Sequence, residues 1–295
     1  MNFSLAEQQN APAPRYALRD FFQNPQRSGY ALSDDGSMLG FLQPVNVDGN
    51  TRMNVFVQPL KNGQPAGKAI QLTQETERDV DGFFWKGPNS IVYAKDFNGD
   101  ENYHVLAVNA KTAEVKDLTP FDGARAGIQD DLEDDPNHLL IAHNDRNTEA
   151  FAVYRVNIHT GEQTLVAENP GNIIGWQTDH NGHVRLAIAS DGLHTALLYR
   201  PEESSPFAPI IQTDFRTDVN PQFFDKDNQK FYALSNRGRD TAALVLIDPN
   251  TPDEEQLIFE NGKYDLLGAG YSRLRHVLTA AFFEADKLHF HFFDE

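Results

Sequence analysis

The sequence is built on a repeat of about 45 to 50 residues, in which a polar turn is followed by a short apolar strand. A fixed period of this size is the signature of a repeat architecture, and short strands in every unit are typical of propeller blades. One apolar position marks the six units, with successive spacings of 52, 48, 45, 46 and 46 residues: Phe41, Tyr93, Ile141, Leu186, Tyr232 and Leu278.

Each unit continues with a third apolar strand, a turn and a more polar outer strand, which with a short inner strand matches a four-stranded blade. No segment shows helical periodicity over three turns, whereas an α/β sheet would need helices between its strands. We therefore predict an all-β protein, a β-propeller of four-stranded blades over residues 26–295. The sequence accounts for about five complete blades and part of a sixth.

The two ends of the sequence differ from the repeat. Residues 1–25 form a separate segment with a polar, proline-bearing arm at residues 8–14, and we expect Phe21 and Phe22 to anchor it in the propeller. The sixth unit has its second and third strands but no outer strand before the sequence stops. Because a propeller avoids open edges by closing its ring, we expect a fragment of a seven-bladed propeller, in preference to a ring closed by the N-terminal segment.

Charge and composition limit the kinds of molecule that we expect this protein to bind. Asp and Glu number 43 against 25 Lys and Arg, which gives a formal charge of −18, and such a surface repels nucleic acid phosphates. The acidity serves solubility or attracts cationic groups such as peptide amino termini. No apolar run reaches the roughly 18 residues that cross a bilayer, and the start does not read as a signal peptide. With no cysteine in the sequence, we expect a cytoplasmic protein without membrane or nucleic acid partners.

The motifs that could carry chemistry are weak. The segment Gly270-Tyr271-Ser272-Arg273-Leu274 lacks the final glycine of a serine-hydrolase elbow, so we interpret it as a blade loop. Residues 96–102 share oxygen ligands with a calcium loop but fail the EF-hand frame, and a hairpin turn is the favoured interpretation over an irregular cation site. His289 and His291 alternate on a strand near Asp294; we expect them to face outward while Leu288, Phe290 and Phe292 face the packing. The sequence thus predicts no catalytic residue, no metal site and no cofactor.

Two loops rich in Arg, Asn and Asp occupy the same place in the third and fifth units, between the second and third strands. They contain Arg146 in one unit and Arg237 and Arg239 in the other. One interpretation is a rim of arginines that faces a partner or an acidic substrate group. The other, which we favour, is a pair of turns in which Asp145 and Asp240 accept local hydrogen bonds.

Several segments together resemble the N-terminal propeller of prolyl-oligopeptidase-type serine peptidases, in the acylaminoacyl-peptidase and dipeptidyl-aminopeptidase-like branch. The resemblance covers nearly the whole chain and rests on residues 20–25, 32–36, 96–102, 117–120, 144–146, 160–162, 168–171 and 238–244. It implies a non-catalytic propeller that caps the active site of a C-terminal α/β-hydrolase domain. In that family the hydrolase domain carries the Ser-Asp-His triad, and nothing in this sequence matches it.

The resemblance also implies that the propeller excludes large folded substrates and offers charged groups to the end of a peptide. Arg146, Arg237, Arg239 and Glu101 are the candidate substrate-binding residues on this basis. Two alternatives stay open at this point. One is a stand-alone propeller that binds peptides or proteins on its open face, and the other is a metal-dependent lactonase-type propeller.

Overall fold

Six antiparallel β-sheets follow one another along the chain in the computed structural model, which describes residues 15–23 and 25–293. Sheets 2 to 5 each consist of four strands that pair in chain order, sheet 1 has an additional short strand, and sheet 6 has three strands. No α-helix occurs in these ranges; one turn of 3₁₀ helix spans Leu18–Phe21. The structure confirms the all-β propeller and its count of five complete blades and a partial sixth.

The strand bounds follow the repeat closely. Sheet 1 comprises β1 (Ser28–Leu32), β2 (Met38–Val47), β3 (Asn50–Lys61), β4 (Gln64–Pro65) and β5 (Ile70–Gln71). Sheet 2 comprises β6 (Phe83–Lys86), β7 (Ser90–Lys95), β8 (His104–Asn109) and β9 (Val115–Asp117). Sheet 3 comprises β10 (Ala126–Asp130), β11 (His138–His143), β12 (Ala152–Asn157) and β13 (Gln163–Ala167).

The second half of the chain repeats the same pattern. Sheet 4 comprises β14 (Ile173–Thr178), β15 (Val184–Ser190), β16 (His194–Tyr199) and β17 (Ala208–Asp214). Sheet 5 comprises β18 (Val219–Phe224), β19 (Phe231–Ser235), β20 (Ala243–Ile247) and β21 (Glu255–Phe259). Sheet 6 comprises β22 (Leu266–Ser272), β23 (Val277–Glu284) and β24 (Leu288–Phe292).

In sheets 2 to 5, the second and third strands are largely buried because they lie between two neighbouring sheets. Five apolar clusters join successive sheets, from the pair 1–2 to the pair 5–6. Trp85 lies in the first of these clusters, and Trp176 packs against the cluster between sheets 3 and 4. Within the described part of the chain, no apolar cluster joins sheet 6 to sheet 1.

The up-and-down order of the strands gives the ring two faces. We call the upper face the one that carries the loops between second and third strands and the connections between sheets. The lower face carries the loops between first and second strands and between third and fourth strands. First strands therefore run from the upper to the lower face, and they surround the centre of the ring.

Two expectations about the ends are wrong. Phe21 and Phe22 are 70% and 79% exposed, so they do not anchor their segment in the propeller; Phe21 makes only an edge contact with Tyr16 among the ring contacts of the described residues. The expectation for β24 is also wrong, because its histidines and its phenylalanines lie on the opposite strand faces from those predicted. The ring of His291 stacks on Phe259 of sheet 5 at 4.0 Å, while Phe290 and Phe292 face the side where no sheet follows.

This reversal has a geometric reason. A two-residue alternation defines two strand faces, but which of them meets a neighbouring sheet depends on the ring.

The arm at residues 8–14 and Asp294 lie outside the described residues. Among the residues that the structure describes, no helix is long and apolar enough to cross a membrane.

Candidate functional site

A hollow of about 650 Å³ lies at the upper end of the ring's centre, between sheets 2, 3 and 4. Its wall is formed by the upper halves of β10 and β14, including Ile128, Ile174 and Trp176. Ile174 is 70% exposed, which is unusual for a large apolar side chain in the first strand of a blade. Gly127 widens the hollow, since a methyl group built on it would meet nothing within 4 Å. The hollow is thus an open, partly apolar surface of the size that binds small ligands.

Two side chains of opposite charge stand at the edge of this hollow. Arg125 precedes β10, and Glu149 lies in the loop between β11 and β12. Both are exposed, and neither side chain makes an ion pair or hydrogen bond with another described residue. Unpaired charges beside an apolar surface are available to a ligand, and together they suit one that carries both a cationic and an anionic or carbonyl group.

Local hydrogen bonds hold the wall of the hollow in place. The Asn144 side chain accepts from the backbone N–H of Arg125 at 2.6 Å and donates to the carbonyl of Thr148 at 2.7 Å. The indole Nε1 of Trp176 donates to the carbonyl of Phe151 at 3.2 Å, and Gln129 donates to the Trp176 carbonyl at 3.0 Å. Asn144 thus fixes both loops that carry the free charges, so their positions are set by the fold rather than by a ligand.

A second cavity, of about 320 Å³, adjoins the hollow and shares Ala94 and Tyr103 with it. It is strongly charged, because four carboxylates and three cationic side chains line it: Glu77, Asp79, Asp81, Asp96, Arg52, Arg78 and Lys95. Arg78 lies 3.4 Å from the carboxylate of Asp96, and this contact, with a backbone hydrogen bond from Glu101, keeps the pKa of Asp96 below its usual value despite desolvation. Lys95 pairs with Glu75 at 2.7 Å.

Glu101, one of the predicted substrate-binding residues, lies in the turn that borders this charged cavity. Its φ of 60°, with φ values of 56° at Asn98 and 77° at Gly99 before it, identifies residues 96–102 as a tight turn, which confirms the favoured interpretation of that motif. The side chain of Glu101 is exposed and does not line the hollow.

Arg146 also lies on the upper face and outside the hollow. Its guanidinium sits 5.7 Å from the ring centre of Tyr154, which in turn stacks on His143 at 4.0 Å. Burial lowers the pKa of His143, and the Asp145 carboxylate at 2.9 Å opposes that shift. Asp145 thus approaches a histidine instead of the local backbone.

Arg237 and Arg239 converge on one carboxylate within sheet 5. Arg239 lies 3.0 Å and Arg237 3.5 Å from the carboxylate of Glu255, and Arg237 also donates to the carbonyl of Pro252 at 3.0 Å. Both guanidinium groups are therefore engaged inside the blade. The role of the four predicted residues in substrate binding stays a prediction, and the structure brings them to one face without bringing them together.

Sequence reasoning did not single out Arg125 and Glu149. Both lie in connections without a recognisable motif: Arg125 precedes the short first strand β10, and Glu149 lies in the loop between β11 and β12. Only their position in the repeat could have indicated them, because each lies at the upper end of a strand of sheet 3, next to the ring's centre. Ser272, in the incomplete elbow motif, is the last residue of β22, and its Oγ accepts from the N–H of Arg275 at 3.2 Å.

The described residues contain no group of three or more His, Cys, Asp or Glu side chains arranged to hold a metal ion. His289 instead pairs with Asp286 at 3.0 Å, and this contact lowers the pKa of Asp286.

Comparison with known proteins found two curated relatives. The chain is 30% identical over 285 residues to dipeptidyl aminopeptidase BIII of Pseudoxanthomonas mexicana, covering 90% of this chain and 39% of the relative. It is 27% identical over 266 residues to dipeptidyl peptidase family member 6 of Caenorhabditis elegans, covering 83% of this chain and 34% of the relative. The chain thus spans less than two fifths of the length of either protein. No family model matches the sequence.

Solved structures agree on the fold. A prolyl endopeptidase structure superimposes with a TM-score of 0.60 at 12% identity, covering 88% of this chain and 39% of the other. A puromycin hydrolase structure superimposes with a TM-score of 0.50 at 12% identity, covering 81% of this chain and 40% of the other. In each case the match falls on the propeller region.

Proposed function

We propose that this chain, the homologue of the N-terminal propeller of prolyl-oligopeptidase-type serine peptidases, is a non-catalytic cap that gates and orients peptides for an α/β-hydrolase domain. The observation that carries the proposal is the pattern of coverage. The relative at 30% identity matches 90% of this chain but only 39% of its own length, which leaves room for a separate catalytic part. The activity of the longer protein would be that of a serine peptidase.

The upper face supports a role in orienting peptides. It presents the hollow, where Ile128 and Ile174 offer apolar contact and Arg125 and Glu149 offer unpaired charges of both signs. A peptide with a free amino terminus has matching groups, namely a cation, backbone carbonyls and apolar side chains.

A binding experiment with this chain tests that role. The probe is a fluorescent tripeptide of apolar residues with a free amino terminus, titrated by anisotropy. Removing either charge in Arg125→Ala or Glu149→Ala is expected to weaken binding by about tenfold, because hydrogen bonds to charged groups contribute roughly 1.5–3 kcal/mol.

The matched control is Arg216→Ala, another exposed arginine of the upper face, which stacks on Phe215 and should leave affinity unchanged. Acetylating the tripeptide should remove the effect of Glu149→Ala and keep that of Arg125→Ala. Equal affinity of all variants for the tripeptide would contradict a binding role of the hollow.

A second experiment tests the non-catalytic assignment. The isolated chain should hydrolyse no dipeptidyl or aminoacyl p-nitroanilide. Turnover that a fluorophosphonate abolishes, with the reagent mapped to a serine of this chain, would show that the chain itself is an enzyme and would refute the assignment.

A stand-alone peptide-binding propeller is the second candidate. It is favoured by the exposure of the hollow and its two free charges in this chain alone. The reading frame after Glu295 distinguishes the two: a Gly-x-Ser-x-Gly elbow within the next few hundred codons supports the peptidase, and a natural stop codon supports the binding module. No observation on the described residues favours the lactonase alternative. The cysteine-free composition supports the further proposal of a cytoplasmic location.

A further inference from the structure

An ion pair crosses the centre of the ring at its lower face. Nη1 of Arg273, in the hairpin between β22 and β23, lies 3.5 Å from the carboxylate of Asp131 and 3.3 Å from that of Glu133. These two acidic residues follow β10 of sheet 3. Sheets 3 and 6 are separated by sheets 4 and 5 along the ring, so a contact between them has to span the axis.

An aromatic contact reinforces this crossing. The ring of Tyr271 at the end of β22 stacks on His180 of sheet 4 at 4.8 Å, with an angle of 15° between the planes. His180 is itself fixed, because its backbone N–H donates to Asn228 and its ring Nε2 contacts the carbonyl of Phe224 at 2.9 Å. Sheet 6 therefore touches both sheet 3 and sheet 4 without the mediation of sheet 5.

The acidic loop that receives Arg273 is held firmly from the other sheets. The buried Lys86 of sheet 2 donates to the carbonyls of Asp131 and Leu132, the latter at 2.7 Å. Thr178 of sheet 4 donates to the carboxylate of Asp130. Leu132, with a φ of 49°, packs so closely on Gly182 that a methyl group there would collide with it. One side of the crossing is thus rigid, whereas the Arg273 hairpin is exposed.

We propose that Arg273 is an electrostatic latch that closes the lower end of the ring's centre, here called the lower mouth, by binding Asp131 and Glu133. Arg273 also lines a cavity of about 250 Å³, together with residues of sheets 3 to 6 that include Gln177, Phe223 and Tyr271. All three charged side chains of the latch are 40–62% exposed, so salt weakens the contact. For the proposed peptidase, on which this reading of the latch rests, peptides pass by the upper face and not through the lower mouth.

The absence of cysteine allows a direct accessibility test on this chain. Gln177→Cys places a thiol in the cavity that Arg273 lines, and the measurement is its rate of labelling by a maleimide with a 5-kDa polyethylene glycol chain. Adding Arg273→Ala, or raising NaCl to 1 M in the chain that keeps Arg273, should increase this rate roughly two- to fivefold, the range expected for loss of a surface ion pair. Arg273→Lys should give an intermediate rate.

Two reference thiols separate opening of the lower mouth from general loosening. Ile174→Cys lies at the upper face and Leu165→Cys on the outer strand β13, and neither should change its rate with Arg273→Ala or salt. Arg216→Ala is the matched arginine control. The proposal is overturned if the labelling rate at Gln177→Cys changes with neither Arg273→Ala nor salt. It is also overturned if the labelling rate rises equally at all three thiols. The test requires no peptidase activity, so its failure is distinct from failure of the proposed function.

Discussion

Gly40 shows how tightly neighbouring sheets approach each other at the scale of one residue. A methyl group built on it would lie 2.7 and 2.9 Å from ring atoms of Phe83 and 3.1 Å from the indole nitrogen of Trp85. These two rings belong to the next sheet, and the Trp85 nitrogen donates to the carbonyl of Ala31 at 2.9 Å. Glycine is required here by space, since its backbone conformation is ordinary.

Gly40→Ala is therefore expected to lower the free energy of unfolding by about 1–3 kcal/mol, the usual cost of overpacking a core. Urea unfolding monitored by tryptophan fluorescence measures it. Gly127→Ala is the matched control, because its added methyl meets no atom within 4 Å. Equal midpoints for the two variants would contradict the close approach.

Asp191 gives a prediction about pH. Its carboxylate accepts from the backbone N–H groups of Leu193 at 2.8 Å and His194 at 2.7 Å, and with the His194 side chain these bonds lower its pKa to about 2. A carboxyl whose pKa is lower in the folded state stabilises the fold above its unfolded value of about 4. That contribution disappears as the pH falls towards 2.

Asp191→Asn keeps the shape of the side chain and removes its charge. At pH 7 the variant should be less stable than the parent chain, and the difference should shrink between pH 4 and pH 2. Denaturant titrations at a series of pH values measure the difference. A gap that stays constant over this range would show that the charge of Asp191 does not contribute.

At the scale of the strand, the second and third strands could be predicted from sequence because burial on both faces requires apolar runs. Leu139, Leu140 and Ile141 form such a run, and all three are fully buried. First strands such as Ala126–Asp130 were predicted only as one short inner strand per blade, without bounds, because they carry little apolar signal. The hollow lies between such strands, so the site was hidden for the same reason.

The four charged candidates illustrate what position in the chain can and cannot reveal. Loops between second and third strands all reach the upper face, which the repeat already implies. Whether a charge there is free depends on partners distant in sequence. Glu255 engages Arg237 and Arg239, while Glu149, three residues from Arg146, has no described partner.

The strand β24 provides a prediction about stability and association. Phe292 is 69% exposed on the side of sheet 6 that no sheet covers, whereas Phe224 is fully buried between sheets 4 and 5. Phe292→Ser should change the free energy of unfolding by less than about 0.5 kcal/mol, as usual for surface sites. Phe224→Ala should cost about 3–5 kcal/mol.

Phe292→Ser should also reduce self-association, because exposed apolar edges promote self-association. Sedimentation velocity over a range of concentrations measures this effect for Phe292→Ser. A large loss of stability in that variant would mean that the aromatic face of β24 is covered in solution.

At the scale of the whole molecule, stability is distributed along a row of sheets. Each inner sheet has an apolar cluster on both sides, whereas sheet 6 shares a single cluster, with sheet 5, in the described residues. In such arrays stability is approximately a sum of unit and interface contributions. Sheet 6 should therefore open at a lower free energy than sheets 2 to 5.

Native-state hydrogen exchange at increasing urea tests this order. Amides of β22 and β23 should exchange by a sub-global opening, while those of β11 and β15 exchange only with global unfolding. Exchange of all sheets with one common free energy would show that the ring unfolds as a single cooperative unit.

The contact of Arg273 with sheet 3 also affects which lengths of peptide the propeller can accept. With its lower mouth latched as proposed, the ring's centre would be a cup instead of a tube. A peptide that enters such a cup would reach its floor, whatever its sequence. The propeller would then act as a ruler, which selects chains by the length of their free end.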